Sequence, residues 1–380
     1  MRLGDICSKI GSGATPRGGK EAYSASGIPI IRSQNVLDWS FSSNGLAYLN
    51  DEQARTLSNV EVHQGDILLN ITGDSVARAC IVPSDVIPAR VNQHVAILRP
   101  KEKANATFIL AWLQTNKDLL LKLASSGATR NALTKRMLEG LDINLPSIDI
   151  QNHIAALISL IQSKINLNIK LNGYLLELAT TRFEQALFKS NRVVRLGDIV
   201  KLEDSKRVPL NSRDRDARKG PYPYYGATSI MDYVDDYLFD GIRVLLGEDG
   251  SVIDESGRPI LQYVWGKYWV NNHAHILAAA SDYSLEAIYI ALQRTPISHI
   301  VTGAVQRKIS QRNLNKLKLE MPDAKSLEYL QDIFAAYRCD CEENRGLVSL
   351  RDALLPKLMS GEIDVPKIDL MQLNSHLAEY

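Results

Sequence analysis

Two stretches of the chain place mostly apolar residues at steps that alternate between three and four. The first runs Ile150, Ile154, Leu157, Ile161, Lys164, Asn168, Leu171, Leu175 and Leu178. The second runs Leu330, Phe334, Tyr337, Cys341, Asn344, Val348, Arg351 and Leu355. This rhythm predicts two long helices, each with a narrow apolar seam that calls for a coiled-coil partner. Ile154, Leu157, Ile161, Asn168, Leu175, Phe334, Tyr337, Asn344 and Leu355 are the positions expected to make helix and partner contacts. Each seam holds an asparagine, Asn168 and Asn344, 176 residues apart. A polar residue in a seam costs stability and fixes register; the competing reading has both facing solvent beside it. A helix of roughly 40 residues spans about 60 Å. Antiparallel pairing would set the flanking domains at opposite ends, related by an approximate two-fold axis.

The remainder reads as two mixed domains. In the first, β-like runs such as Ile28-Pro29-Ile30-Ile31, Asp66-Ile67-Leu68-Leu69 and His94-Val95-Ala96-Ile97-Leu98 alternate with Gly, Asn and Pro turns. A helix is predicted from 107 to about 123, with Phe108, Ala111, Trp112 and Leu119 on one face. In the second domain a short helix is predicted over 285–292, with Ser284 as its N-cap.

The two domains repeat each other. Arg2-Leu3-Gly4-Asp5-Ile6 returns 193 residues on as Arg195-Leu196-Gly197-Asp198-Ile199. Val91-Asn92-Gln93-His94 returns 179 residues on as Val270-Asn271-Asn272-His273. Gly127-Ala128 and Leu145-Pro146 return 176 residues on as Gly303-Ala304 and Met321-Pro322. Units this long are whole domains rather than solenoid repeats. The expected organisation is a domain over 1–146, a helix over 147–190, a domain over 191–322, a helix over 323–361 and a tail over 362–380. The expected class is α+β, with the two helices forming an antiparallel coiled coil. Between the first and second motifs the second copy is 14 residues shorter, so the frame is kept while its middle varies.

Composition narrows this little. A chain of 380 residues accommodates two or three domains with real cores. No run is long and apolar enough to span a membrane, and no secretory signal is read at Met1-Arg2-Leu3, so a membrane partner is not expected. Cys7, Cys80, Cys339 and Cys341 are scattered, which fits a reducing cytoplasm better than a disulfide frame. A net charge of +1 neither favours nor excludes a polyanionic partner.

The order of domain, helix, domain, helix resembles the specificity subunit of type I restriction–modification systems, over about residues 1–363. The strings that carry the likeness are Ser26-Gly27-Ile28-Pro29-Ile30-Ile31-Arg32, Gly65-Asp66-Ile67-Leu68-Leu69 and Val91-Asn92-Gln93-His94. In the second half they are Tyr222-Pro223-Tyr224-Tyr225-Gly226-Ala227, Tyr237-Leu238-Phe239-Asp240-Gly241 and the run from Leu354 to Ile363. The resemblance implies a subunit with no chemistry of its own. Each domain would be a target recognition domain reading half of a split, asymmetric site on double-stranded DNA. The helices would hold the spacing and dock two methyltransferase subunits, which restriction subunits then join. S-adenosylmethionine, ATP and magnesium would belong to those partners, and no cofactor to this chain. Domains on two-fold-related ends would meet the groove about 34–36 Å apart.

Base edges are read by Arg, Lys, Asn, Gln, Ser and Thr, and further cations hold phosphates. In the first domain the candidates are Arg32, Ser33, Gln34, Asn35, Thr72, Arg78, Thr129, Arg130 and Arg136. In the second they are Lys206, Arg207, Lys219, Lys267, Gln306, Arg307 and Lys308, with Tyr225 kept from an aromatic cluster otherwise assigned to the core. The charge-alternating string from Arg213 to Lys219 reads equally as a solvated loop. The matched Asn-x-His triplets read as scaffold, because base readers should differ between copies. His273 and His275 share a strand face but lack further ligands, so no metal site is expected. Neither an Asn/Asp-Pro-Pro-Tyr/Phe motif nor a Gly-x-x-x-x-Gly-Lys-Ser/Thr loop is present, and Asp204-Ser205-Lys206 reads as a chance echo of a nuclease signature. The rival readings are an assembly scaffold and the recognition part of a split methyltransferase–nuclease.

Overall fold

In the computed structural model of the chain, residues 1–16, 18, 22–125, 131–303 and 307–367 are described. They form two compact units, Met1–Asn168 with Glu343 onward, and Ile169–Glu342. Both boundaries fall inside the long helices, so each unit is a mixed domain completed by half of each helix.

The first unit opens with a helical turn α1 (Leu3–Ile6) and strand β1 (Cys7–Ser12). Strands β2 (Ile28–Ile31) and β3 (Ala47–Leu49), helix α2 (Asp51–Thr56), and strands β4 (Glu61–Val62), β5 (Ile67–Asn70), β6 (Ala79–Ile81), β7 (Ala89–Val91) and β8 (Val95–Pro100) follow. They make two four-stranded sheets, in the orders β1-β8-β5-β6 and β3-β2-β7-β4. The first is antiparallel throughout, and in the second β2 and β7 run parallel.

Side chains alternate along the first sheet, as strand geometry requires. Ile67, Leu69, Ala96 and Leu98 join a helix-side core, while Leu68, Cys80, Val95 and Ile97 join the core shared with the second sheet. Burial on both faces explains the unbroken apolar run Ile67-Leu68-Leu69. The expected helix over 107–123 is two helices, α3 (Ala106–Thr115) and α4 (Lys117–Ser125). Asn116 interrupts them: its backbone N–H and its side-chain Nδ2 both donate to Trp112 O, at 3.0 and 2.8 Å. Leu119, expected on the apolar face, is consequently exposed. Helix α5 (Lys135–Glu139) is capped by Thr134.

Helix α6 (Ile148–Lys189) leads to β9 (Arg192–Arg195), the turn α7 (Leu196–Ile199), β10 (Val200–Leu202), α8 (Ser212–Ala217), β11 (Lys219–Tyr225) and β12 (Ile230–Val234). Next come β13 (Phe239–Asp240), β14 (Arg243–Gly247), β15 (Leu261–Val264), β16 (Lys267–Val270), β17 (Ala274–Ala279), α9 (Leu285–Arg294), β18 (Val301–Thr302), β19 (Lys308–Ile309), α10 (Gln311–Asn315), β20 (Lys318–Met321) and α11 (Tyr329–Ser360). Ser284 caps α9, its Oγ accepting the Ala287 N–H at 3.2 Å. The sheets are β10-β17-β14-β15 and β12-β11-β16-β13, with small pairs β18-β19 and β20-β9. Every strand of β1–β8 has its counterpart nine numbers on, including the parallel pair, now β11 and β16. Val244, Leu246 and Leu277 face the helix-side core, and Leu245, Ala274 and Ile276 face the second sheet.

Helices α6 and α11 pair within each unit. In the first, Ile154, Leu157, Ile158, Ile161 and Ile165 share a core with Leu347, Leu355 and Leu358. Arg351 Nη1 donates to Gln162 Oε1 at 2.8 Å, and Asn168 Nδ2 to Asn344 Oδ1 at 3.0 Å. Partner numbers fall as α6 advances, so the pairing is antiparallel. The two asparagines bond each other rather than water; Asn168 is 2% exposed. In the second unit Ala179, Phe183 and Ala186 pack with Leu330 and Phe334. The seam beyond Ile161 sits one residue later than its apolar residues suggest: Ile165, Asn172 and Ala179 are buried, where Lys164, Leu171 and Leu178 were expected. Leu171, Leu178 and Ile150 are exposed, and Leu175 and Tyr337 are half-buried. Among the described residues no helix is long and apolar enough to cross a membrane.

Candidate nucleic-acid interface

In each unit the same connections are tied together at one end of the sheets. In the second unit Asn271 N–H bonds Tyr225 O at 3.0 Å, and Asn271 Oδ1 accepts the His273 N–H at 2.8 Å. Glu248 N–H donates to His273 O at 2.8 Å, and Ile309 N–H to Glu248 O at 2.9 Å. His273 Nδ1 lies 2.7 Å from Asp249 Oδ1. The first unit repeats this position by position. Asn92 N–H bonds Ile31 O at 3.0 Å, and Asn92 Oδ1 accepts the His94 N–H at 3.0 Å. Ile71 N–H donates to His94 O at 3.0 Å, Leu133 N–H to Ile71 O at 2.8 Å, and His94 Nδ1 meets Thr72 Oγ1 at 2.6 Å. The Asn-x-His triplet is therefore a brace between the two sheets. Gly13 passes so close to it that a Cβ would meet Val91 O at 1.9 Å, which restricts that position to glycine.

The brace of the second unit includes an ionic cluster. Asp204 accepts from Ile276 N–H at 2.8 Å and from Gln311 Nε2 at 2.6 Å, and it lies 2.6 Å from His275 Nδ1. Arg207 bonds Glu248 Oε2 and Ala274 O, both at 2.7 Å. Burial pushes the Asp204 carboxyl up, but hydrogen bonds from His275 and Ile276 N–H, with the charge of Arg207, outweigh it and hold the group below the usual carboxylate range. Glu248 is likewise held low, burial being overcome by Arg207, His275 and Lys308. Carboxylate and ring atoms of Asp204, Glu248 and His275 lie within 4.8 Å of one another, a metal-like spacing. The donor set does not fit a metal. His275 Nε2 faces Ile309 O at 2.8 Å, so both ring nitrogens face acceptors, and Arg207 supplies the positive charge.

Two folds with one connectivity, bonded alike at their loop ends, invite comparison with known families. Residues 1–175 and 189–337 match the family described as type I restriction modification DNA specificity domain. The chain belongs to that family. A type I restriction enzyme specificity subunit of Haemophilus influenzae is 30% identical over 127 residues, 33% of this chain and 32% of that protein. The type I restriction enzyme MjaIX specificity subunit of Methanocaldococcus jannaschii is 22% identical over 411 residues, 97% of this chain and 94% of that protein. The crystal structure of a type I restriction–modification S subunit from M. genitalium aligns with a TM-score of 0.56 at 15% identity, covering 94% of this chain and 95% of that one. Recognition of DNA sequence is the task of this specificity-subunit family.

The candidate reading residues divide by environment. Gln34, Arg78, Arg136, Lys206, Arg307 and Lys308 are exposed, and Arg32 and Ser33 are half-buried at the base of the β2–β3 connection. Thr72 is half-buried with its hydroxyl committed to His94. Three candidates are built into the frame instead. Asn35 is fully buried, its Nδ2 donating to Ser42 O at 2.9 Å and Asn44 O at 3.1 Å. Arg207 is the cation of the ionic cluster, and Tyr225 is a buried core ring, edge-on to Tyr268. Lys219 and Lys267 begin the parallel strands β11 and β16, whose far ends lead into the brace, so they do not join the others. Lys219 bonds Asp232 at 2.7 Å, and Lys267 lies 4.7 Å from the centre of the Tyr237 ring. Thr129, Arg130 and Gln306 lie outside the described residues. Gln93 and Asn272, read as scaffold with the rest of their triplets, are the exposed middle residues of the two braces. Within the matched triplets only this middle position differs.

Proposed function

We propose that this specificity subunit reads a split, non-palindromic sequence on double-stranded DNA, one half with each unit, and directs adenine methylation by two methyltransferase subunits. Conditional cleavage follows when restriction subunits join them. The chain binds and does not make or break bonds; S-adenosylmethionine, ATP and magnesium act in the partners. Phosphate contacts by exposed cations such as Arg78, Arg136, Lys206, Arg307 and Lys308 would position each unit, and base-edge contacts would select the site. One observation carries this reading. The two units share strand order and brace, yet differ in the side chains and loop lengths at the braced end. A frame kept constant beneath variable loops is how one fold recognises two targets.

The test is a genome-wide map of methylated adenines in cells carrying the methyltransferase partner, with and without this chain. The expected result is a two-part asymmetric motif that disappears without the chain. An unchanged map, with the partner shown to be active and bound to the chain, would reject the proposal and favour an assembly scaffold.

A further inference from the structure

The connection between β2 and β3 has a base and a tip that face different things. The base carries Arg32, Ser33 and Gln34, closed by Gln34 Nε2 donating to Gly45 O at 3.1 Å and by Asn35 bonding Ser42 O and Asn44 O. A β-bridge between Val36 and Phe41 then projects the tip, residues 37–40. The tip is docked onto the helices of the same unit. Trp39 N–H donates to Ala79 O at 2.9 Å, and the same carbonyl accepts Gln114 Nε2 of α3 at 3.0 Å. Asp38 pairs with Lys117 of α4. The guanidinium of Arg351, on α11, lies 4.8 Å from the centre of the Trp39 ring. Arg351 is 7% exposed and is held by Gln162 of α6 at 2.8 Å and by Asp352 at 2.9 Å.

Trp39 adopts φ 63°, a left-handed conformation that a bulky side chain takes only where its surroundings hold it there. The stack with Arg351, the Ala79 bond and the Asp38–Lys117 pair are what hold it. The corresponding β11–β12 connection of the second unit is only residues 226–229 and has no such tip.

We infer that Trp39 and Arg351 are positioning residues for the first reading loop, so that base preference in the first half-site depends on a contact made by the C-terminal helix. This rests on the proposed reading of a two-part site. Neither residue touches DNA; both act by fixing where Arg32, Ser33 and Gln34 stand.

The test is the same methyladenine map, made with the full chain in its methyltransferase complex carrying Trp39→Ala, Trp39→Phe or Arg351→Lys. Trp39→Ala is expected to relax preference about tenfold at one or more positions of one half-site, leave the other half unchanged, and be rescued by Trp39→Phe. Arg351→Lys keeps the charge and loses the guanidinium over the ring, so it should relax the same half-site, and it carries the test if Trp39→Ala fails to accumulate. A wild-type motif with merely less methylation, or equal loss in both halves, would overturn the inference while leaving the proposed function standing. A wild-type map with no two-part motif would overturn both.

Discussion

At one register level the two units are built from opposite materials. Ser12 faces Ala96 across β1 and β8, and Ile71 follows β5. At the matching positions the second unit has Asp204, His275 and Glu248, joined by Arg207. The backbone brace is the same in both, bond for bond. The fold therefore does not require the charges: in the first unit buried Ala96 and Ile71 lie beneath an exposed Ser12, where the second unit has a fully bonded ionic cluster. The cluster differs in its vulnerability. Buried charges are tolerated only as a complete set, and removing one member leaves the rest uncompensated.

The largest effect should come from breaking that set. Asp204→Ala should destabilise the second unit by about 3–5 kcal/mol, because Arg207 loses a buried counter-charge and His275, Gln311 and Ile276 N–H lose their acceptor. Ser12→Ala, its counterpart, should cost well under about 1 kcal/mol. Denaturant unfolding followed by hydrogen exchange resolved to each unit measures both; equal losses would refute the contrast. Where the units are alike, so should the penalties be. Leu68→Ala and Leu245→Ala each empty a fully buried site at the same level of the central sheet and should each cost about 2–5 kcal/mol.

Smaller effects sharpen the comparison. Asn168→Leu leaves Asn344 without its donor and Glu343 with Lys164 alone, and should cost about 1–3 kcal/mol, whereas Asn168→Leu with Asn344→Leu should recover part of it. A double-mutant cycle on thermal stability gives the coupling; strictly additive losses would show that the pair does not interact. Acid should separate the units gently. Asp204, Glu248 and Glu203, whose burial is outweighed by bonds from Lys206 and Arg243, are held below their usual range in the folded chain, so their stabilisation is complete above the unfolded values of 3.8 and 4.5. It is lost as pH falls through the lower folded values. Amide protection in the second unit should therefore weaken before that in the first as pH drops below about 4.5. Simultaneous loss would contradict this.

The repeat and the helices were legible because both are matters of spacing. Seam asparagines declared themselves by sitting at the same point of both periodic runs. The one-residue error in the seam beyond Ile161 arose because Leu171 and Leu178 are more apolar than Asn172 and Ala179. Asn172 is buried against Cys341, Ala179 lies in the core of the second unit, and periodicity of apolar residues does not show which of two neighbours faces the partner helix. The site was less legible, because a polar residue type does not reveal whether its partners lie within the protein. Asn35 and Arg207 find backbone carbonyls and carboxylates nearby only after the chain has folded. Asp204 looked like an accident beside Lys206, since Glu248, His275 and Gln311 lie far along the chain.

The central claim is that one frame, used twice, reads two different half-sites. Selection of bound duplexes from a random DNA library by the intact complex of this chain with its methyltransferase tests it most directly. The account predicts two short conserved blocks of unrelated sequence separated by a fixed gap of unconstrained bases. A single continuous block, or two blocks related as a palindrome, would contradict it.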